Sequence, residues 1–340
     1  MNPKVLLIYT GGTIGMVQDP KTGIWSPFDF SSLLETMPSL RKLNIDIGTY
    51  SFSEIIDSSD MRPEYWVEIA KVIEENYNDY DGFVVLHGTD TMSYTASALS
   101  FMLEGLKKPV ILTGSQLPIG VLRSDGKDNL INAVEIAGYK ENGKALVPEV
   151  CICFENNLYR GNRTTKLNAE NFNAFYSGNY SPLAEVGIHV KYNHHAILQP
   201  VESRGLLVHK KLDDRVAILK LYPGISQNTV ESILAIEGLQ GLILETYGSG
   251  NAPSASWFIN ALKHAIDNGL IVLNVTQCKK GKVEMGKYEA SVELLKAGVI
   301  NGEDLTTESA VTKLMILLGS ITPKSKVAEL LQTSLCGEMS

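Results

Sequence analysis

Four segments of the chain close apolar runs with hydroxyls and carboxylates: Thr10-Gly11-Gly12-Thr13, Asp57-Ser58-Ser59-Asp60, Gly88-Thr89-Asp90-Thr91 and Gly114-Ser115-Gln116. A hydroxyl on such a turn suits acyl transfer, in which the oxygen attacks a carbonyl and turn N–H groups hold the oxyanion. Threonine is a weak nucleophile by itself and needs a base. The histidines do not supply one at any obvious spacing. His194 and His195 fall in a polar stretch, and His189, His209 and His264 lie away from the turns. His87 sits inside an apolar run, where a structural or orienting role fits better than catalysis. No G-x-S-x-G elbow occurs. A lysine oriented by a carboxylate is the remaining type of base. Taken singly, each segment reads better as ordinary turn chemistry, with Asp60 or Asp90 capping a helix. Four of them together point to a site but do not name its reaction.

The elements that must position these segments follow from hydrophobic periodicity. Val5–Tyr9, Thr49–Ile56, Phe83–Leu86 and Lys108–Thr113 have the length and branching of buried strands. Helical spacing follows from Pro63, with Trp66, Ile69, Val72 and Ile73 on one side, and again from Met92, with Ala96, Leu99, Met102 and Leu103. A helix near Asp128–Gly138 and a strand at Glu149–Phe154 come next, and the polar run Asn156–Leu167 reads as a loop. Strand, polar turn and helix in alternation indicate an α/β fold with a mainly parallel sheet. Parallel strands would gather all four turns on one rim, where open sheets keep their ligands. Met16–Phe30, with Pro20, Gly23 and Pro27, reads as a lid over that rim.

The periodicity fades over 193–214 and then resumes. Strands are expected at Val216–Leu221, Leu242–Thr246 and Leu270–Val275, with helices at Val230–Glu237 and Ala255–Asn268. Glu293–Leu318 and Lys324–Leu331 read as helical. The expected organisation is a large α/β domain at 1–192, a linker at 193–214 and a smaller α/β domain at 215–340.

With 340 residues, 44% of them hydrophobic, the chain can bury sizeable cores. A formal charge of −8 argues against a nucleic-acid partner, which calls for a basic face. Neither G-x-G-x-x-G nor a lysine-bearing phosphate loop is present. The four cysteines, Cys151, Cys153, Cys278 and Cys336, lack zinc-type spacing and read as small buried hydrophobes in a reducing compartment. The first apolar run is too short for a signal-peptide core, and no stretch has the length of a membrane span. A cytoplasmic protein is expected.

The segments YTGGTIGM (9–16), DSSDM (57–61), DGFVVLHGTDTMSYTASALSFML (81–103), TGSQLP (113–118), RSDG (123–126) and YRGNRTTK (159–166) together resemble the bacterial type I L-asparaginases, the cytoplasmic branch of the asparaginase/glutaminase family. The resemblance continues through YPGIS (222–226), YGSGNAP (247–253), TQC (276–278) and AGVI (297–300). It implies hydrolysis of L-asparagine to L-aspartate and ammonia without metal or cofactor. Thr13 would be the attacking hydroxyl. Thr89, Asp90 and Lys166 would form a second triad, with Lys166 the base and Asp90 orienting it. Ser59 and Asp60, with Ser58 adjacent, would hold the α-carboxylate and α-ammonium of the substrate, and Asp90 would also touch the ammonium. N–H groups near Thr89 and the first turn would serve the oxyanion. Asn251 would be offered to a neighbouring subunit's site, which implies a dimer, often doubled to a tetramer.

Two departures stand out. The lid stretch Thr22-Gly23-Ile24-Trp25-Ser26-Pro27 lacks the tyrosine that family members often place there. Allosteric type I enzymes carry an arginine where this chain has Glu245, which would repel an effector carboxylate. Thr165, Thr276 and Cys278 fit the remaining positions of that regulatory site, but for Thr165 and Cys278 buried packing is the better reading. Other readings are a glutaminase-asparaginase, an amidotransferase-type amidase and a non-catalytic amino-acid sensor.

Overall fold

The computed structural model describes residues 2–18, 25–27, 37–200, 204–287 and 289–340. The chain divides into two compact units, Met1–Lys210 and Lys211–Ser340.

Among the described residues, the sheet of the first unit has eight strands. They are β1 (Lys4–Gly11), β2 (Asp46–Ile56), β3 (Gly82–Leu86), β4 (Val110–Thr113), β5 (Val150–Phe154), β6 (Asn157–Arg160), β8 (Ala184–Val186) and β9 (Val190–Tyr192), with β7 (Thr165–Lys166) paired separately to Phe175–Tyr176. Their spatial order is β9-β8-β6-β5-β4-β3-β1-β2. The five from β5 to β2 are parallel, and the other three are antiparallel additions. Central strands covered on both faces read as continuous apolar runs. All of β3, GFVVL, and β4, VILT, is buried accordingly.

Among the described residues, this unit has three α-helices: α1 (Pro63–Glu75), α2 (Met92–Met102) and α3 (Gly126–Gly138). Pro63 stands at the start of α1, where a missing N–H costs nothing. Trp66, Ile69, Ala70, Val72 and Ile73 form its buried side. On one face of the sheet, Val5, Leu7, Val84, Leu86, Ile111, Cys151 and Cys153 join Leu130, Ala133, Val134 and Ala137 of α3 in one core.

Register explains why the polar turns converge. Tyr9 lies opposite Leu86, Leu86 opposite Thr113, and Gly11 opposite Ile56. Parallel strands in that register leave the sheet at one rim. The second unit repeats the plan with a four-stranded parallel sheet of β10 (Val216–Lys220), β11 (Gly241–Thr246), β12 (Ile271–Thr276) and β13 (Ile300–Asn301).

Several expectations need correction. Asn156–Leu167 is not a plain loop. Asn157–Arg160 turns back as β6 against β5, because Glu155 and Asn156 adopt positive φ and Leu158 and Arg160 alternate inward. Glu293–Leu318 is interrupted. A helix at Glu289–Ala297 gives way to β13, and a new helix, Thr307–Ser320, starts where the Thr306 hydroxyl accepts the Ser309 N–H at 3.1 Å. Strand pairing and a cap outweigh the continuous apolar spacing there. Cys278 is exposed rather than packed in a core, while Cys151 and Cys153 are buried. Of the expected lid, Met16–Gln18 pairs antiparallel with Trp25–Pro27, and 19–24 and 28–30 lie outside the described residues. The low-periodicity stretch contributes Leu207–Val208, which pairs with Leu103–Glu104 in the first unit.

Candidate active site

The rim of the first sheet is held together by backbone touching backbone. Gly12, at φ 92°, presses on the next turn so closely that a Cβ there would lie 2.5 Å from the Gly88 nitrogen. No L side chain fits that approach or is at ease at that φ. A Cβ at Gly88 would in turn strike the Ser58 hydroxyl. The Thr91 hydroxyl donates to the Ser58 carbonyl at 2.6 Å. The segments containing Thr13, Ser58 and Thr89 are therefore neighbours, each residue next to or at one of these contacts.

Lys166 reaches the same rim from β7. Its Nζ donates to Thr89 Oγ1 at 2.8 Å and to Asp90 Oδ1 at 2.6 Å. The lysine side chain is 18% exposed and that of Asp90 64% exposed. The pair thus sits at a solvent boundary, where a ligand can enter. Close packing of Gly161 on Ala96 of α2, 2.9 Å from a notional Cβ, brings the segment before β7 against the helix that follows Thr89. Thr13 opens a helical turn at Thr13–Gly15 and is exposed.

The Asp57 turn is ordered from within. The Asp57 carboxylate accepts the Ser59 N–H and the Ser59 hydroxyl, both at 2.9 Å. Those two hydrogen bonds lower the Asp57 pKa below the usual carboxylate value. Ser58 is buried, while Ser59 and Asp60 are exposed.

His87 lies beneath the Thr89 turn, and burial pushes its imidazole pKa down to about 4. Its Nδ1 is 2.6 Å from the Gly88 carbonyl, which can only accept, so Nδ1 carries the proton. Nε2, 2.9 Å from Thr95 Oγ1, then accepts from that hydroxyl, which itself receives the Trp66 indole N–H at 3.0 Å. Anchoring the Gly88 carbonyl fixes the plane of the Gly88–Thr89 peptide and turns the Thr89 N–H the opposite way.

Some contributors are not suggested by titratable chemistry. Thr89 Oγ1 donates to Gln116 Oε1 at 3.2 Å. The Asp125 carboxylate receives the N–H groups of Gln116 and Leu117 and the amide of Asn129. Gln116 and Asp125 stand inside TGSQLP and RSDG, so their motifs were visible while their contacts were not. Ser115, also on this rim, is buried, and among the described residues its hydroxyl has no hydrogen-bond partner.

The other expected residues lie as follows. Thr165 is buried in β7. In the second unit, Asn251 closes a turn by pairing with Tyr247, the two exchanging N–H···O bonds of 2.9 Å. Glu245 is buried, and its Oε1 accepts the Thr307 hydroxyl at 2.5 Å while Oε2 lies 3.4 Å from Lys220 Nζ. The Thr276 hydroxyl donates to the Gly248 carbonyl at 2.6 Å and accepts the Cys278 N–H at 3.0 Å. Among the described residues, no three His, Cys, Asp or Glu side chains group as metal ligands. No helix there is long and apolar enough to cross a membrane.

A hydroxyl, a lysine amino group and a carboxylate in one hydrogen-bonded chain, beside oriented turn N–H groups, make up the apparatus of acyl-transfer hydrolases that work through a hydroxyl. The chain belongs to the asparaginase family: residues 4–198 match the model "Asparaginase, N-terminal" and residues 215–331 match "Glutaminase/Asparaginase C-terminal domain". It is 44% identical to L-asparaginase 1 of Escherichia coli K12 over 98% of this chain and 97% of that one. The crystal structure of L-asparaginase I from Vibrio cholerae superposes with a TM-score of 0.91 at 41% identity, covering 100% of both chains. A probable cytoplasmic L-asparaginase from Campylobacter jejuni aligns with a TM-score of 0.82 at 26% identity, over 98% of this chain and 100% of that one.

Proposed function

We propose that this chain hydrolyses L-asparagine to L-aspartate and ammonia through a threonine ester. The observation that carries this reading is Lys166 Nζ lying 2.8 Å from Thr89 Oγ1 and 2.6 Å from Asp90 Oδ1. Thr13 Oγ1 bonds to the side-chain amide carbon of asparagine, and the carbonyl oxygen becomes an oxyanion received by the Thr89 N–H and the first turn. The hydroxyl proton passes to the amide nitrogen, the C–N bond breaks and ammonia leaves. Water, activated at Thr89 with Lys166 as base, cleaves the β-aspartyl ester and returns a proton to Thr13. Asp90 orients the lysine. Ser59, Asp60 and Ser58 hold the α-carboxylate and α-ammonium, and Asp90 shares the ammonium. The reaction uses no cofactor.

The same reading makes the protein cytoplasmic and self-associating as a dimer or tetramer, with Asn251 serving a neighbouring copy's site. By resemblance Thr165, Glu245, Thr276 and Cys278 match positions of a family regulatory site, and Glu245 in place of its arginine means that no effector carboxylate is taken.

Purified protein should release ammonia and aspartate in equal amounts from L-asparagine. Thr13→Ala and Thr89→Val should each lower kcat by at least ~100-fold. Full rate in Thr89→Val would sink the mechanism. Glutamine differs by one methylene, so kcat/KM should favour asparagine by roughly 10- to 200-fold. Equal values would make the enzyme a glutaminase-asparaginase.

A further inference from the structure

We infer that Gln116 is a positioning residue that clasps the Thr89 turn to the loop following Lys166, keeping hydroxyl and base in register. The inference rests on the reading of Thr89 and Lys166 as working groups.

One side-chain amide makes three hydrogen bonds here. Gln116 Nε2 donates to the carbonyls of Ala169, at 3.1 Å, and Asn171, at 3.0 Å. Oε1 accepts from Thr89 Oγ1 at 3.2 Å. The orientation of the amide follows from its partners. Ala169 and Asn171 present only carbonyl oxygens, so nitrogen must face them and oxygen must face the threonine. Thr89 has a single hydroxyl proton, and it is directed at Gln116. A lone pair of Oγ1 is therefore turned to the Lys166 N–H.

Both ends of the clasp are anchored. The Gln116 N–H donates to both Asp125 oxygens, at 3.1 and 3.0 Å, at the start of α3. Asn129 Nδ2 ties the same carboxylate to the Gly114 carbonyl, each bond 3.1 Å long. At the far end, the loop is closed on itself. The Leu167 and Asn168 N–H groups donate to the Ala174 carbonyl at 2.7 and 3.3 Å, and Asn168 Nδ2 donates to Asn173. Lys166 is bonded to Leu167 and paired with Phe175, so the closed loop and the lysine backbone move together. Loss of the clasp frees that unit from Thr89 by the fraction of an ångström to which catalysis is sensitive.

Gln116→Met keeps the length and shape of the side chain but none of its three hydrogen bonds. Gln116→Glu keeps the acceptor for Thr89 and loses the donor for the loop. Each should lower kcat by about 10- to 100-fold while KM for asparagine changes by less than about 3-fold. Amide hydrogen exchange over 167–174 should quicken in both variants, with the rest of the first unit unaffected. Wild-type kcat in Gln116→Met, or unchanged exchange at 167–174, would overturn the inference. If one variant fails to fold, the other carries the test; failure of both assigns Gln116 to the scaffold and also overturns it. Thr89→Val and Lys166→Met measured alongside separate the two levels. Full rate in those controls defeats the underlying reading, whereas inactive controls with normal Gln116 variants defeat the clasp alone.

Discussion

Each unit of the chain holds a lysine against a carboxylate at 2.6 Å, and the two pairs are built to opposite ends. Lys313 and Glu338 are both 0% exposed. Lys313 also donates to the carbonyls of Leu331 and Thr333, at 3.2 and 2.7 Å, and Glu338 accepts the N–H groups of Leu335 and Cys336. Its bonding is spent on the fold. Lys166 and Asp90 stand at the solvent boundary, and Lys166 also donates to a threonine hydroxyl. A buried pair must satisfy every donor and acceptor internally, because what is left over is desolvated and lost. A pair at the boundary can leave capacity for a ligand, at little benefit to stability.

The sharpest way to break this contrast is to delete each cation in turn. Lys166→Met should lower kcat by about 10³-fold, at the upper part of the range for general acid–base groups, and leave the melting temperature nearly unchanged. Lys313→Met should do the reverse. It strands the Glu338 charge in the interior and should cost about 3–5 kcal/mol by denaturant unfolding of the second unit, with the folded fraction fully active. A large stability loss in the first variant, or a specific-activity loss in the second, would show that the division does not hold.

Acid should separate the units as well. A free imidazole protonates near 6.5, but His87 in the folded protein does so only near 4. Between those values the unfolded chain binds the extra proton, so stability falls as pH drops through that window and is flat above it. The full loss is about 3 kcal/mol and should vanish in His87→Gln, followed by urea unfolding at several pH values. Burial raises the Glu338 pKa, but the Lys313 ammonium and the surrounding hydrogen bonds more than offset this, leaving it below the ordinary carboxylate value. Its contribution is present above the unfolded carboxylate pKa and is lost only as pH falls through the lower, folded one. Acidification should therefore weaken the first unit before the second.

The smallest expected effect belongs to Glu245. Its carboxylate meets Thr307, the first residue of the helix Thr307–Ser320, where negative charge is favoured. Glu245→Gln should cost about 1 kcal/mol or less. Velocity should remain a hyperbola in asparagine for wild type and variant alike. A sigmoidal wild-type curve would revive a regulatory site in the second unit.

Much of the rim was legible because its signals are local. Val5 to Tyr9 and Phe83 to Leu86 advertise buried strands, and the polar turns after them follow directly. Lys166 carries no such signal. It sits in a polar run whose strand character depends on pairing with distant residues, and it was singled out by family resemblance rather than by spacing. Gln116 is silent in the sequence for a different reason: an amide neither titrates nor attacks, so composition gives it no role until its three partners are known. The exposure of Cys278 runs against the usual burial of thiols, and nothing in Thr276-Gln277-Cys278 says which way the chain turns after β12.

The contact between Lys166 and Thr89 also has a meaning in time. The two residues are 77 positions apart. Between them lie β4, β5 and the reversal into β6, so the contact cannot form until those pairings close over a long stretch of chain. Helical signal after dilution from denaturant should return early, since α1 to α3 need only neighbours. Ammonia release should return late, in step with the closing of the sheet. Catalysis in this protein thus reports the closing of long-range contacts during its folding.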